Sequence, residues 1–189
     1  MNKDLLNKIL ITLGFILIYR VLAYVPVPGV DLSVVKEFFD SNSNNALGLV
    51  NMFSGNAVER LSIISLGIMP YITASIIMEL LSATFPALGK MKKERDGMQK
   101  YMQIIRYATI LITFIQAIGV SMGLNSLTGT AGQSAIMINM DTFIAVSTVS
   151  MIAGTMMLMW IGEQITQKGI GNGISLIIFA GIVSAIPSA

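Results

Sequence analysis

Long uncharged runs bounded by clusters of charge set the pattern of this chain. Crossing roughly 30 Å of hydrocarbon takes about 20 mostly apolar residues in a helix, and five intervals approach that length. Residues 9–25 form the first, interrupted by Arg20, which lies close enough to one end for its side chain to snorkel to the interface. The second falls within residues 49–83, where an apolar run over 61–81 contains Glu79. Arg106 and Asp141 enclose 34 uncharged residues. That is enough for a third span at 107–124 and a loop at 125–141 rich in Gly, Ser and Thr. Asp141 and Glu163 enclose 21 more, the fourth span at 142–162. Beyond Lys168 no charge appears, so a turn at 163–172 leads into a fifth span at 173–189. The expected fold class is an all-α polytopic membrane protein with five transmembrane helices.

Orientation follows from Lys and Arg, which concentrate in short cytoplasmic loops. Lys3 and Lys8 lie in residues 1–8; Lys90, Lys92, Lys93, Arg95, Lys100 and Arg106 crowd 84–106; Lys168 lies between the fourth and fifth spans. The opposite side holds Arg20, Lys36 and Arg60. Nine against three places the N-terminus in the cytoplasm. No small-residue cleavage site follows the first apolar run, so that run is expected to be a retained helix rather than a signal peptide.

Two stretches break the helical pattern. In Pro26-Val27-Pro28-Gly29-Val30-Asp31, within an outer loop at 26–48, the prolines fix extended backbone and the glycine permits a turn. Asp31 suits an N-cap for a short amphipathic helix over 32–39, with Val34, Val35, Phe38 and Phe39 on or near one face. An interfacial helix explains this better than a binding site. The second stretch, residues 48–60, is too polar to face lipid and too apolar for a plain loop. Gly67 and Pro70 then interrupt the run, leaving about 14 residues after the break, roughly 21 Å of helix. That is too short to span alone, and non-helical backbone at membrane depth needs protein or a water-filled cavity to satisfy it. Two half-helices beside an aqueous path fit the pattern, with a simple proline-kinked span as the alternative.

Ile68, Ile72 and Ile76 recur every four residues and form one apolar stripe if the helical register holds. Such a stripe is either ordinary packing or a constriction that resists wetting. Met151, Met156, Met157 and Met159 fill the fourth span without a required role beyond apolar packing. The glycines of Gly169-Ile170-Gly171-Asn172-Gly173 have the wrong spacing for a dinucleotide loop and follow a helix; Asn172 is an N-cap candidate for the fifth span. Glu79 and Asp141 lie near span ends, where water reaches them.

Composition narrows the chemistry. The 189 residues are 54% apolar and 12% charged, half the charge of ordinary soluble domains. A net charge of +2 gives no basic face for nucleic acid. With neither His nor Cys, haem ligation, the usual zinc and iron–sulfur sites, thiol catalysis and Ser–His triads are excluded. No metal, cofactor or catalytic residue is expected.

Four motifs occurring in order along nearly the whole chain resemble the bacterial SecY family of protein-translocating channels: the segment 26–31; Asn51-Met52-Phe53-Ser54-Gly55; residues 66–78, which include Gly67-Ile68-Met69-Pro70-Tyr71; and Trp160-Ile161-Gly162-Glu163-Gln164-Ile165-Thr166 with 169–175. The resemblance is to the N-terminal half of a ten-span, inverted-repeat channel. It implies that 51–65 is a plug, a re-entrant half-helix including Asn51, Met52, Phe53, Ser54, Gly55, Asn56 and Leu61. It also implies that Ile68, Ile72 and Ile178 contribute to a pore ring, and that Thr73, Ile76, Ile77 and Gln116 form one side of a lateral gate. Asn56 replaces a frequent glycine and Glu79 a frequent glutamine. The implied partners are SecE and SecG, the motor SecA, ribosomes, signal peptides and nascent polypeptides, membrane lipid, and the C-terminal half of the same channel, in the cytoplasmic (inner) membrane. Half of a small-solute or ion transporter built on a broken helix is the competing class; an intramembrane hydrolase lacks its Ser–Lys or paired-Asp site.

Overall fold

The computed structural model describes residues 3–41, 51, 54–124 and 134–185. Seven helices account for most of them: α1 (Lys3–Leu22), α2 (Leu32–Ser41), α3 (Met69–Thr84), α4 (Pro86–Lys93), α5 (Arg95–Leu124), α6 (Met140–Lys168) and α7 (Gly173–Ala185). The architecture is an all-α polytopic membrane fold. Among the described residues three helices, α1, α5 from Asp96 onward and α6, are long and apolar enough to cross a bilayer, and α3 with α4 makes a fourth candidate bent by 111°. α7 has 13 residues, about 20 Å of helix, short of a full crossing on its own.

α6 is the central element, packing against α1, α5 and α7, while α3 and α4 pack against α5. Its buried positions, among them Ser147, Met151, Gly154, Leu158, Ile161 and Ile165, recur every three or four residues and form one broad face. α1 instead exposes Leu13, Leu17 and Val21, as a lipid-facing helix does. Hydroxyls buried in α5 are satisfied within the helix: Thr109 donates to Ile105 O at 2.8 Å and Thr113 to Thr109 O at 2.7 Å. Ser121 and Ser147 join α5 to α6 at 2.6 Å.

Helix ends differ from the charge-based expectation. α1 begins at Lys3 and ends at Leu22, displaced toward the N-terminus from 9–25. α5 runs 30 residues from Arg95, so the apolar span at 107–124 is only its second half. α6 continues through Glu163 to Lys168, and the turn expected over 163–172 shrinks to Gly169–Asn172. A lone glutamate does not stop a helix when its carboxylate is paired. Glu163 accepts from Arg106 Nε at 3.0 Å and Nη2 at 2.7 Å, a two-pronged bridge from α5. The helix stops at Gly169. Asn172 then caps α7, its side-chain oxygen accepting from Ile174 N at 3.0 Å and Ser175 N at 3.3 Å.

At the far end of the bundle, the segment Val25–Asp31 is sewn between two others. Val27 N donates to Leu61 O at 2.8 Å and Ile63 N to Val25 O at 2.9 Å. On its other side Asp31 N donates to Ala135 O at 2.9 Å and Met137 N to Gly29 O at 3.0 Å. Gly29, at φ +89°, is pressed against Ile138, whose Cδ1 would lie 2.6 Å from any added Cβ. Asp31 caps α2 by accepting from Ser33 N at 2.9 Å and from the Ser33 hydroxyl, which hold its carboxyl below the usual aspartate range. Val34 and Val35 of α2 are buried against Val27, Leu61 and Phe143, so the helix is packed onto the bundle as well as amphipathic.

Candidate functional site

Residues 54–68 run as consecutive turns between Val25–Asp31 and α3. Asn51 has helical geometry; the rest of the half-helix expected at the start of the plug, including Met52 and Phe53, lies outside the described residues. Four residues here have positive φ: Gly55 (+67°), Asn56 (+64°), Leu61 (+40°) and Gly67 (+59°). Such reversals forbid a continuous helix. Side chains replace the missing ladder. Asn51 Oδ1 accepts from Glu59 N at 3.0 Å while its Nδ2 donates to Glu59 Oε2 at 3.0 Å. Ser54 Oγ donates to Asn51 O at 2.8 Å and accepts from Val58 N at 3.3 Å. Asn56 N donates to Asn51 O at 2.9 Å, so the residue in place of a glycine tolerates left-handed backbone, as asparagine does. Leu61 turns its side chain into the core beside Val27 and Phe143.

The ring candidates converge in part. Ile68, the residue before α3, is buried, and Ile72 and Ile178 are half-buried against the same apolar cluster. Ile72 N donates to Ile68 O at 3.1 Å, so the helical register holds across the break. Ile76, however, is 55% exposed, so the stripe leaves the core one turn later. Ile68 and Ile178 line a cavity of about 30 Å³ with Tyr19, Ser54, Ile64 and Leu158, while Ile72 does not reach it. A space of that size holds about one water. A far larger cavity, about 530 Å³, lies mainly between α5 and α6, lined by Met102, Arg106, Glu163 and Thr166 with Tyr71 of α3 and Asn172 and Ile174 at the start of α7. The two spaces are lined by different residues, and the smaller one is where Ile68 and Ile178 meet the turns of residues 54–68.

The gate candidates sit on two packed helices, Thr73, Ile76 and Ile77 on α3 and Gln116 on α5. Ile76 and Ile77 are exposed, and the Thr73 hydroxyl donates to Met69 O at 3.0 Å. Glu79 pairs with Lys92 across the bend between α3 and α4, and both partners are accessible. Lys92 is held above its ordinary value by that carboxylate, chiefly through the hydrogen bond. Both groups are at the surface, so the pair joins the two helices without forming a buried ion site.

Three features escaped the sequence reading. The Arg106–Glu163 bridge joins residues far apart in the chain, and no spacing rule announces it. Gly154 meets the Ile63 backbone, an approach hinted at only by a glycine within a long helix. Arg20 does not snorkel: Nη1 turns inward to Ser184 Oγ at 2.7 Å and to Gly55 O at 3.3 Å.

Comparison with known proteins gives a consistent set of likenesses. The family model described as SecY matches residues 62–189. The protein translocase subunit SecY of Helicobacter pylori is 77% identical over 189 residues, covering 100% of this chain and 45% of that protein. Its Escherichia coli (strain K12) counterpart is 43% identical over 188 residues, covering 98% of this chain and 42% of that protein. The chain thus spans about half the length of the relatives it matches. Among solved structures, Sec61 in the canine ribosome-channel complex from the endoplasmic reticulum superposes with a TM-score of 0.64 at 21% identity, over 98% of this chain and 38% of that one. "The structure of a protein conducting channel" matches to the same degree, and at this identity the likeness is one of fold.

Proposed function

This chain belongs to the SecY family, and from that premise we propose that it forms the N-terminal half of a protein-conducting channel. The observation that carries the reading is the small, mostly apolar space of about 30 Å³ that Ile68 and Ile178 line together with Ser54 of the turns. In this half-channel Ile68, Ile72 and Ile178 supply part of an apolar ring. Residues 51–65, including Met52 and Phe53, plug it, and Thr73, Ile76, Ile77 and Gln116 give one side of a gate toward lipid. Bulky aliphatic side chains around a space one water wide resist wetting and ion passage. A moving polypeptide displaces the plug, and the ring then closes around the chain as a flexible apolar gasket. A hydrophobic signal segment partitions through the gate into lipid.

The conduit is passive, so energy comes from a partner, the motor SecA or a ribosome supplying secretory and nascent polypeptides. SecE, SecG and the C-terminal half of the channel complete the assembly in the cytoplasmic membrane, with the N-terminus and the basic segment 84–106 in the cytoplasm. The spans are 9–25, 49–83, 107–124, 142–162 and 173–189; α1 and α5 begin before theirs and α6 continues past its own. The solute-transporter alternative is not favoured, because the constriction is apolar and lacks a converging polar ligand set.

The test uses a full-length channel carrying this sequence, reconstituted in vesicles with its partners and a stalled signal-bearing polypeptide. Replacing Ile68, Ile72 and Ile178 together by Ser is expected to raise ion leak around the stalled chain severalfold. Leak equal to that of the unsubstituted channel overturns the gasket.

A further inference from the structure

Arg20 occupies the last turn of an otherwise lipid-compatible helix, where an ionised side chain is costly unless something holds it. Both of its acceptors are neutral. Nη1 donates to Ser184 Oγ on α7 at 2.7 Å and to the carbonyl of Gly55 at 3.3 Å. Ser184 in turn donates its own proton to Gly181 O at 2.6 Å, leaving its oxygen lone pairs free to accept from the guanidinium. Tyr24 lies one helical turn on, its ring centre 5.7 Å from the Arg20 guanidinium carbon, and Arg60 stacks on the same ring at 4.1 Å.

The Gly55 end of this arrangement is a backbone fit. Gly55 has φ +67°, and a Cβ there would lie 3.1 Å from Gly181 Cα, 3.1 Å from Ser184 Oγ and 3.2 Å from Arg20 Nη1. The turn is thus seated on α7 by its bare main chain, with its carbonyl aimed at Arg20. The neighbouring carbonyl is held as well. Buried Tyr19 directs its hydroxyl at Ser54 O, 3.4 Å away, so successive side chains of α1 reach successive carbonyls of the turn.

We propose that Arg20 is a positioning residue that latches the plug in its closed seat, bridging Gly55 O to Ser184 Oγ and clamping the turn between α1 and α7. The inference rests on reading residues 51–65 as the plug. The two contacts are unequal in a useful way. The shorter bond to Ser184 keeps the guanidinium placed on α7, and the longer bond to Gly55 is the one released when the plug leaves. A latch of this kind resists thermal opening yet yields to an arriving signal segment. Arg20 also accounts for the glycine at position 55, since any side chain there would push the carbonyl away from it.

The experiment measures resting ion leak, with no polypeptide engaged, in vesicles of fixed lipid composition holding equal amounts of full-length channel carrying this sequence. Signal-dependent translocation by the unsubstituted channel is measured alongside. Arg20→Gln is expected to raise resting leak severalfold while translocation persists. Arg20→Lys, which keeps a cationic donor, restores leak most of the way, and Ser184→Ala gives a smaller rise than Arg20→Gln. A purely structural tie between α1 and α7 would lower the thermal midpoint of Arg20→Gln without changing leak, and that result overturns the latch. If Arg20→Gln does not accumulate in the membrane, Ser184→Ala decides alone, by raised leak for the latch or unchanged leak against it. Absence of translocation by the unsubstituted channel counts instead against the channel reading itself.

Discussion

Replacing Gly154 by Ala adds one methyl group to α6 where the packing leaves no room for it. The new Cβ would lie 2.1 Å from Ile63 O, 2.6 Å from Ile63 C and 3.2 Å from Ile64 Cγ2. Ordinary carbon–oxygen contacts begin near 3.3 Å, so the backbone at Ile63 has to retreat by roughly 1.2 Å. It has little slack. Ile63 N is bonded to Val25 O at 2.9 Å, and Ile64 is only 1% exposed within the central cluster. Overpacking of this kind costs about 1–3 kcal/mol, and a backbone neighbour puts it at the upper end. That is about 5- to 150-fold in the folding equilibrium. Gly119 on α5 is the matched control, because nothing lies within 4 Å of its added Cβ. There the same substitution removes a flexible residue from a helix interior and gains about 0.5–1 kcal/mol. Thermal unfolding of the purified full-length channel should therefore shift down for Gly154→Ala and slightly up for Gly119→Ala. A Gly154→Ala channel as stable as the unsubstituted one would refute the close approach of α6 to the turns.

Two further outcomes follow from polar contacts. The Arg106–Glu163 bridge is half accessible on its arginine side, so its coupling is about 0.5–1 kcal/mol. A cycle of Arg106→Gln, Glu163→Gln and the double variant should show that coupling in thermal stability; strict additivity would remove the bridge. Asp31 is held below its ordinary range first by the Ser33 hydroxyl and then by the Ser33 N–H, so its cap of α2 acts fully at neutral pH. The stabilisation begins to fade below the unfolded aspartate value and is lost as pH falls through the lower folded value. Hydrogen exchange over residues 32–41 should accelerate in that acidic window beyond the change in Asp31→Asn, and identical pH profiles for both would contradict the cap.

What was readable in the sequence was what charge and length control. The uncharged intervals located α1, α5 and α6, because lipid demands helix wherever charge is absent. The end of the fourth span was misjudged where a charge is paired within the fold, as Glu163 is by Arg106. Asp31 and Asn172 were legible as caps because capping is local, with donors two or three residues away. The site was legible only through its motifs. That Ile68 and Ile178 share one small cavity, and that Ile76 turns out of the core, depends on how the helices pack. Nothing in the spacing of isoleucines along the chain carries that information.

The central claim is that a translocating polypeptide passes the ring to which Ile68, Ile72 and Ile178 contribute. This chain has no cysteine, so in a full-length channel whose remainder is also freed of cysteine single ones can be placed: Ile68→Cys and Ile178→Cys at the constriction, Leu17→Cys and Leu111→Cys at positions 64% and 62% exposed. A stalled polypeptide bearing one cysteine should form disulfides at positions 68 and 178 and not at 17 or 111. Equal or greater capture at 17 and 111 would show that the polypeptide takes another path.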